Sequence, residues 1–265
     1  MSTDQSSTNT ADDYLYTIKR ISDDVYCIVE NDQFNWNPLL YFICTSGKAL
    51  LIDTGCGSGD LKNFLISAGL LGISQKLVVV NTHNHPQQTG GAYLFSTTGT
   101  YGLSRNVECL CASDANPKYT ELRDTNFDWQ VHSYKVTKWL AHNEMLTLNE
   151  ETGKESYVQI FHTPGHTPDS LSLWYQDGKR LFVGDLFYRT FLLVETICQC
   201  KIGLFHKQNL LKIRYSSSRS EADGQCLPNL KNYHRFLLSV VAGTHYKLPL
   251  EVPSLHCIRY ETRNK

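Results

Sequence analysis

Long apolar runs are missing from this sequence. Its apolar stretches, such as residues 77–80 and 236–242, the second interrupted by Ser239, fall far short of the ~20 residues a membrane-spanning helix requires, so no membrane span is expected. Charge of one sign is missing too. The 25 Lys and Arg against 26 Asp and Glu leave a formal net charge of −1, which gives no field to draw a nucleic-acid backbone or an anionic membrane. A small-molecule substrate and no nucleic acid are therefore expected, and the sequence carries no signal of oligomeric state. The opening stretch MSTDQSSTNTADD has neither a basic start nor an apolar core, so it lacks the marks of a secretory or transit peptide. It reads as a disordered tail over residues 1–13, and a cytoplasmic location follows as the expectation. A disulfide framework is also lacking: the nine cysteines are odd in number and scattered, which favours free thiols in a reducing compartment. The closest pairs, Cys109 with Cys111 and Cys198 with Cys200, do not have the two-residue spacing of structural zinc sites, although a strand would put both members of a pair on one face.

What is present suffices for one core. A chain of 265 residues, 41% of them hydrophobic, buries roughly 70–75% of its unfolded surface in a single domain. One α/β domain over residues 14–258 is the expected organisation, with 259–265 as a C-terminal tail. Within it, residues 187–229 carry Lys201, Lys207, Lys212, Arg214 and Arg219 around a serine run and read as a flexible insert with no assigned function.

From residue 14 to 53 the chain alternates short β-rich runs, YLYTI, DVYCIV, LLYFIC and ALLID, with turn-forming AspAsp, AsnTrpAsnPro and SerGly, the pattern of a meander. Leu61, Phe64, Leu65 and Ala68 then recur at helical spacing, and Gly69 supplies a stop. KLVVV follows as a buried strand and runs directly into Thr82, His83, Asn84 and His85. Between residues 93 and 149 a strand is expected at 107–111, with helical or irregular structure over 117–139. The second half returns to strands: YVQIF before His162, LSLWY, a GlnAspGlyLys turn, and RLFVG delivering Asp185 to the end of a hairpin. LLSVVAG (237–243) reads as a last buried strand ending at Thr244 and His245.

Several segments thus share one design, a buried strand followed at once by a residue able to ligate metal: Asp53, His83 with His85, His166, Asp185 and His245. Loops at strand ends are where chemistry is usually carried. His83 and His85 leave an extended segment from one side and can grip one ion. Three imidazoles leave a tetrahedral zinc ion one open position. Any one of these residues alone is more often a loop histidine or a turn cap; the joint pattern is what points to a metal centre.

AspThrGly at 53–55, ThrHisAsnHis at 82–85 with GlyGly at 90–91, HisThrProGlyHisThr at 162–167, GlyAsp at 184–185 and GlyThrHis at 243–245 together resemble the ordered motifs of the metallo-β-lactamase superfamily. The resemblance covers roughly residues 14–258. It implies a four-layer αββα sandwich with the metal site at one edge between the sheets. It also implies that His83, His85 and His166 hold a first metal, that Asp185 bridges toward a second, that His245 belongs to that second site, and that Asp53 supports the histidine loop without touching metal. The sequence departs from the family at HisAsnHisProGlnGln, 83–88. Gln87 and Gln88 stand where the family has the aspartate and histidine of the second metal, and an amide is a weak, neutral ligand that cannot take up a proton as a carboxylate can. Pro86 departs as well; it fixes its own φ and restricts His85 before it.

These readings combine into a hydrolase with one Zn2+ per chain and a doubtful second metal. Its zinc-bound hydroxide would attack an ester or thioester carbonyl, oriented by Asp185, at a rate reduced by Gln87 and Gln88. The stretch from His162 to Ser170 resembles the thioesterase and lactonase-like branches, and the extra domain of the nucleic-acid-processing branches is not expected. An acyl-CoA or glutathione thioester is the first substrate class this suggests. The alternative is a binding or regulatory protein of the same fold, catalytically weak or inactive.

Overall fold

A computed structural model describes residues 15–96, 106–122, 131–150 and 155–185 with their side chains, and the backbone of 186, 214–216, 224–225, 250–252 and 255–258. Seven strands form the first sheet in sequence order: β1 Tyr16–Arg20, β2 Val25–Glu30, β3 Leu39–Cys44, β4 Ala49–Ile52, β5 Leu77–Val80, β6 Val107–Ser113 and β7 Lys138–Leu140. β1 to β4 pair antiparallel, as the short turns between them dictate, and β4 to β7 pair parallel, as longer crossovers allow. The second sheet runs backwards through the chain from β13 Gly224–Gln225 and β12 Arg214–Ser216 to β11 Arg180–Phe182, β10 Leu171–Tyr175, β9 Ser156–His162 and β8 Met145–Asn149. A separate two-stranded pair, β14 Leu250–Val252 and β15 Leu255–Ile258, pairs antiparallel.

The residues explain these assignments. β4 and β5, with ALLI and LVVV, are buried at every position, as befits strands covered on both faces. Alternate residues then serve two cores. Val25, Tyr41, Ile43, Leu50, Ile52, Val78 and Val80 pack against Leu146, Val158, Ile160, Leu173, Tyr175 and Phe182 between the sheets. Ile28, Leu40, Phe42, Leu51, Leu77 and Val79 face the other way, onto Leu61, Phe64 and Leu65. Those three belong to α1, Leu61–Ser67, whose side-chain cap is Asp60 accepting from the Asn63 amide and whose end is marked by Gly69 at φ +71°. Helix, sheet and sheet are thus three layers among the described residues.

The sequence expectations of strands at 39–44, 49–53 and 107–111, of the helix, and of the hairpin around residues 176–179 match observed elements to within two residues. β7 and β8 were not anticipated. The expected N-terminal tail (1–13), C-terminal tail (259–265) and last strand at 237–243 lie outside the described residues. Of 187–229, the described residues are β12 and β13, at the outer edge of the second sheet. No helix among the described residues is long and apolar enough to cross a membrane.

Candidate metal centre

β5 ends at Val80, and the chain leaves it through Asn81 and Thr82, both buried, to His83. This exit is clamped from two sides. On one, the Leu171 amide at the start of β10 donates to the Thr82 carbonyl at 2.8 Å, tying the loop to the second sheet. On the other, Asp53 accepts from the Thr82 amide at 2.7 Å and from its hydroxyl at 3.0 Å. Asp53 reaches this position from a left-handed backbone, φ +64°, with its own amide bonded to the Val80 carbonyl. The loop after it is pinned by Glu30, fully buried, whose carboxylate accepts from the amides of Cys56 and Ser58 at 2.6 and 2.8 Å. Desolvation pushes the Glu30 carboxyl above its ordinary range.

The Asp53 and Thr82 contacts fix the tautomer of His83. A carboxylate only accepts, so the Thr82 hydroxyl proton is directed to Asp53. Its oxygen then accepts from His83 Nδ1, 3.0 Å away. With the proton on Nδ1, a neutral imidazole presents a bare lone pair at Nε2.

That lone pair points into a cluster. His83 Nε2 lies 3.1 Å from His85 Nδ1, and His166 Nε2 lies 3.0 Å from the same atom. Asp185 Oδ2 stands 3.8 Å from His83 Nε2 and 3.5 Å from His166 Nε2. The three rings meet edge to face, at interplanar angles of 79°, 86° and 84°. A single ring nitrogen has one lone pair or one proton, so His85 Nδ1 cannot make good hydrogen bonds to two imidazoles at once. An ion at the centre would satisfy all three: in a tetrahedral site with metal–nitrogen bonds of about 2.0–2.1 Å, as for zinc, nitrogens stand about 3.3 Å apart. The four residues offer ligand atoms all within 4.8 Å of one another, and the donor set of imidazoles plus carboxylate suits a divalent transition metal.

Each remaining member of the cluster is held by its own loop. His85 is extended, φ −117° and ψ 153°, and caps the short helix α2, Pro86–Thr89, in which Pro86 takes the first position. Pro86 therefore fixes His85 in the conformation the cluster uses, because a residue before proline favours the extended region and proline is accommodated in a helix's first turn. Asn84, between the two histidines, donates to the carbonyls of Tyr119 and Leu122 at 2.8 and 2.7 Å, at the end of α3, Pro117–Thr120. His166 is carried by a turn in which Asp169 accepts from Thr167 at 2.7 Å and from Thr120 at 2.9 Å. Asp169 is buried, and desolvation raises its carboxyl above the usual range. Asp185 follows Gly184, φ +52°, where a Cβ would come within 2.9 Å of the Thr82 hydroxyl. Glycine is needed there because the strand end passes directly against the residue that holds His83.

A match to the metallo-beta-lactamase superfamily extends over residues 36–219. The chain belongs to the metallo-β-lactamase superfamily. It is 26% identical over 193 residues to the acyl-coenzyme A thioesterase MBLAC2 of Homo sapiens, covering 65% of this chain and 67% of that one. To the metallo-beta-lactamase type 2 of Elizabethkingia meningoseptica it is 23% identical over 171 residues, 63% of this chain and 60% of the other. It spans 67% and 60% of the length of these two relatives. Among solved structures, the Rm3 metallo-beta-lactamase superposes with a TM-score of 0.58 at 16% identity, over 86% of this chain and 94% of that one. The metallo-beta-lactamase from Pontibacter korlensis gives 0.54 at 16%, over 84% and 99%. At such identities the likeness is one of fold: the chain is an αββα sandwich of the metallo-β-lactamase type.

Within this superfamily member, His83, His85, His166 and Asp185, each implied by the motif resemblance, are brought together in one group that could hold a metal ion. His245 lies outside the described residues. Gln87 and Gln88 are buried in α2, and Gln87 Nε2 and both side-chain polar atoms of Gln88 have no hydrogen-bond partner among the described residues. Sequence reasoning missed the supporting roles of Asn84, Asp169, Thr120 and Glu30. For Asp169 a signal existed, since ThrProAspSer is a sequence in which a carboxylate closes on nearby hydroxyls and amides. For Glu30 and Thr120 none did, because their partners are distant in sequence.

Proposed function

We propose that the chain is a zinc-dependent hydrolase holding one Zn2+ at His83, His85 and His166, with Asp185 alongside, and cleaving an ester or thioester of a small molecule. The observation that carries this reading is the convergence of three imidazole nitrogens, with His83 Nε2 and His166 Nε2 at 3.1 and 3.0 Å from His85 Nδ1. His245 as a further ligand rests on its GlyThrHis motif alone. The domain on this reading runs over 14–258, and a cytoplasmic location stays the expectation from composition.

Zinc bound by three imidazoles would supply a nucleophilic hydroxide near neutral pH and a Lewis acid for the carbonyl. The chain's own residues do the rest. Asp53 and Thr82 keep His83 in the tautomer that leaves Nε2 bare. Asp185, buried, offers Oδ2 beside the imidazoles as the acceptor that can orient a water or take its proton. Gln87 cannot take a proton, so turnover is expected to be slower than in a relative with a carboxylate there. An acyl-CoA or glutathione thioester is the first substrate class to test, supported by the likeness to a protein named as an acyl-coenzyme A thioesterase.

One observation favours a second reading, a binding protein that has kept the fold without the activity: the buried, neutral Gln87 and Gln88. A panel of thioesters, lactones and β-lactams offered to zinc-reconstituted protein separates the two. Hydrolysis of a thioester that disappears in His166→Ala supports the enzyme. Inertness of the fully zinc-loaded protein toward every member of the panel supports the binding protein.

A further inference from the structure

Cys109 and Cys111 lie on β6, the strand beside β5 in the first sheet, outside the cluster of His83, His85, His166 and Asp185, and the structure gives them a relation that their spacing only suggested. Both are free thiols. They occupy alternate positions of β6, paired with Val78 and Val80 of β5, so their side chains leave the same face of the sheet. The two sulfurs are 3.4 Å apart, with the Cys111 thiol donating to Cys109 Sγ. Cys111 is fully buried in the core between the sheets, while Cys109 is only partly buried at its margin. Just before Cys109 the β5–β6 register shifts, leaving Glu108 as the extra residue, an irregularity that loosens pairing locally.

The electrostatic surroundings divide the labour. The thiol hydrogen bond from Cys111 holds the Cys109 pKa below the ordinary thiol value, and Lys138 and Lys48 act in the same direction against burial and Glu108. The same bond, with burial, holds Cys111 well above it. An accessible sulfur that ionises first beside a protonated thiol in contact with it has the two features of an oxidisable pair, an attacking and a resolving cysteine.

We propose that Cys109 and Cys111 form a peroxide-sensitive dithiol, a modification site separate from the histidine cluster. The Cys109 thiolate attacks one oxygen of hydrogen peroxide or an organic hydroperoxide; the O–O bond breaks, the departing oxygen takes a proton and leaves as water or alcohol, and Cys109 becomes a sulfenic acid. The Cys111 sulfur then attacks Cys109 Sγ, the S–O bond breaks, the Cys111 proton leaves with the hydroxide as water, and a disulfide remains. Two thiols are oxidised by two electrons and one peroxide is reduced. Residues two apart on a strand have Cα atoms about 6.7 Å apart, at the upper end of what a disulfide spans. The bond is therefore strained and readily reduced by a dithiol, as suits a reversible mark.

Cleavage after Arg105 and Lys118 releases both cysteines, and no others, in the peptide 106–118. The whole protein is treated with limiting hydrogen peroxide, its remaining thiols are alkylated, and that peptide is weighed. The expected product is the peptide two hydrogen atoms lighter, unalkylated, formed faster in the folded than in the urea-unfolded protein, and restored by dithiothreitol. In Cys111→Ser, a sulfenic-acid trap such as dimedone is expected to label Cys109; in Cys109→Ser, Cys111 is expected to stay unlabelled. The proposal is overturned if 106–118 stays reduced while other cysteine peptides oxidise, if it forms no faster folded than unfolded, or if Cys111 is the residue trapped. The wild-type measurement decides without either variant.

Discussion

Replacing Thr82 with valine removes one hydroxyl and leaves the shape of the side chain almost unchanged, so its consequences can be worked out atom by atom. In the native chain that hydroxyl donates to Asp53 and accepts from His83 Nδ1 at 3.0 Å. In Thr82→Val the Thr82 amide still reaches Asp53 at its 2.7 Å contact, but the buried Nδ1–H of His83 loses its acceptor. Leaving a buried donor unsatisfied costs about 1–3 kcal/mol, and each kcal/mol lowers the melting temperature of a chain this size by roughly 2–4 °C. The imidazole can also move its proton to Nε2, which removes the lone pair from the cluster. Loss of such an outer hydrogen bond typically weakens metal binding about 10–100-fold, or about 1.4–2.7 kcal/mol. Zinc affinity measured by competition with a chromophoric chelator is expected to fall by that factor in Thr82→Val and to stay near wild type in Thr82→Ser, which keeps the hydroxyl. Equal affinity in valine and wild-type proteins would refute the claim that this hydroxyl sets the His83 tautomer.

Other consequences are as direct. Gln87→Asp combined with Gln88→His restores a carboxylate and an imidazole on α2, and zinc content by elemental analysis is expected to rise from one toward two per chain; no rise means that α2 does not present these side chains to the site. Gly184→Ala places a Cβ within 2.9 Å of the Thr82 hydroxyl at φ +52°, so both melting temperature and zinc affinity should fall. Gly69→Ala, at φ +71° with open space around it, should cost only the about 1–2 kcal/mol of a left-handed residue and leave zinc affinity intact. For Glu30, burial raises the folded-state pKa above the ordinary 4.5. The folded state then binds more protons than the unfolded one in the window from that value upward, so this group's contribution to stability declines as pH rises through the window. The melting temperature of Glu30→Gln relative to wild type should therefore climb with pH from about 4.5 upward; a constant difference would mean the carboxyl titrates alike in both states.

The parts of this account that were legible in the sequence are those set by local pattern. LLYFIC and LVVV announce strands by their composition, and Asp60 with Gly69 brackets α1. The histidine cluster was legible because each member follows a strand: His83 and His85 leave β5 of the first sheet, and His166 and Asp185 leave β9 and β11 of the second. What was not legible depends on contacts between distant residues. Thr82 reads as one more turn threonine until Asp53, 29 positions away, is placed against it. β7 and β8 are short and flanked by polar residues, and β8 is recognisable only by its pairing with β9. Pro86 departs from the family pattern and restricts His85, and the structure shows that this restriction is the extended conformation the cluster uses.

The zinc K-edge X-ray absorption spectrum of protein reconstituted with one equivalent of zinc addresses the metal centre itself. The arrangement of His83, His85 and His166 predicts three imidazole nitrogens at about 2.0–2.1 Å, with oxygen completing the shell, and loss of that signature in His83→Ala. A shell containing sulfur at about 2.3 Å, or a spectrum unchanged by His83→Ala, would contradict it.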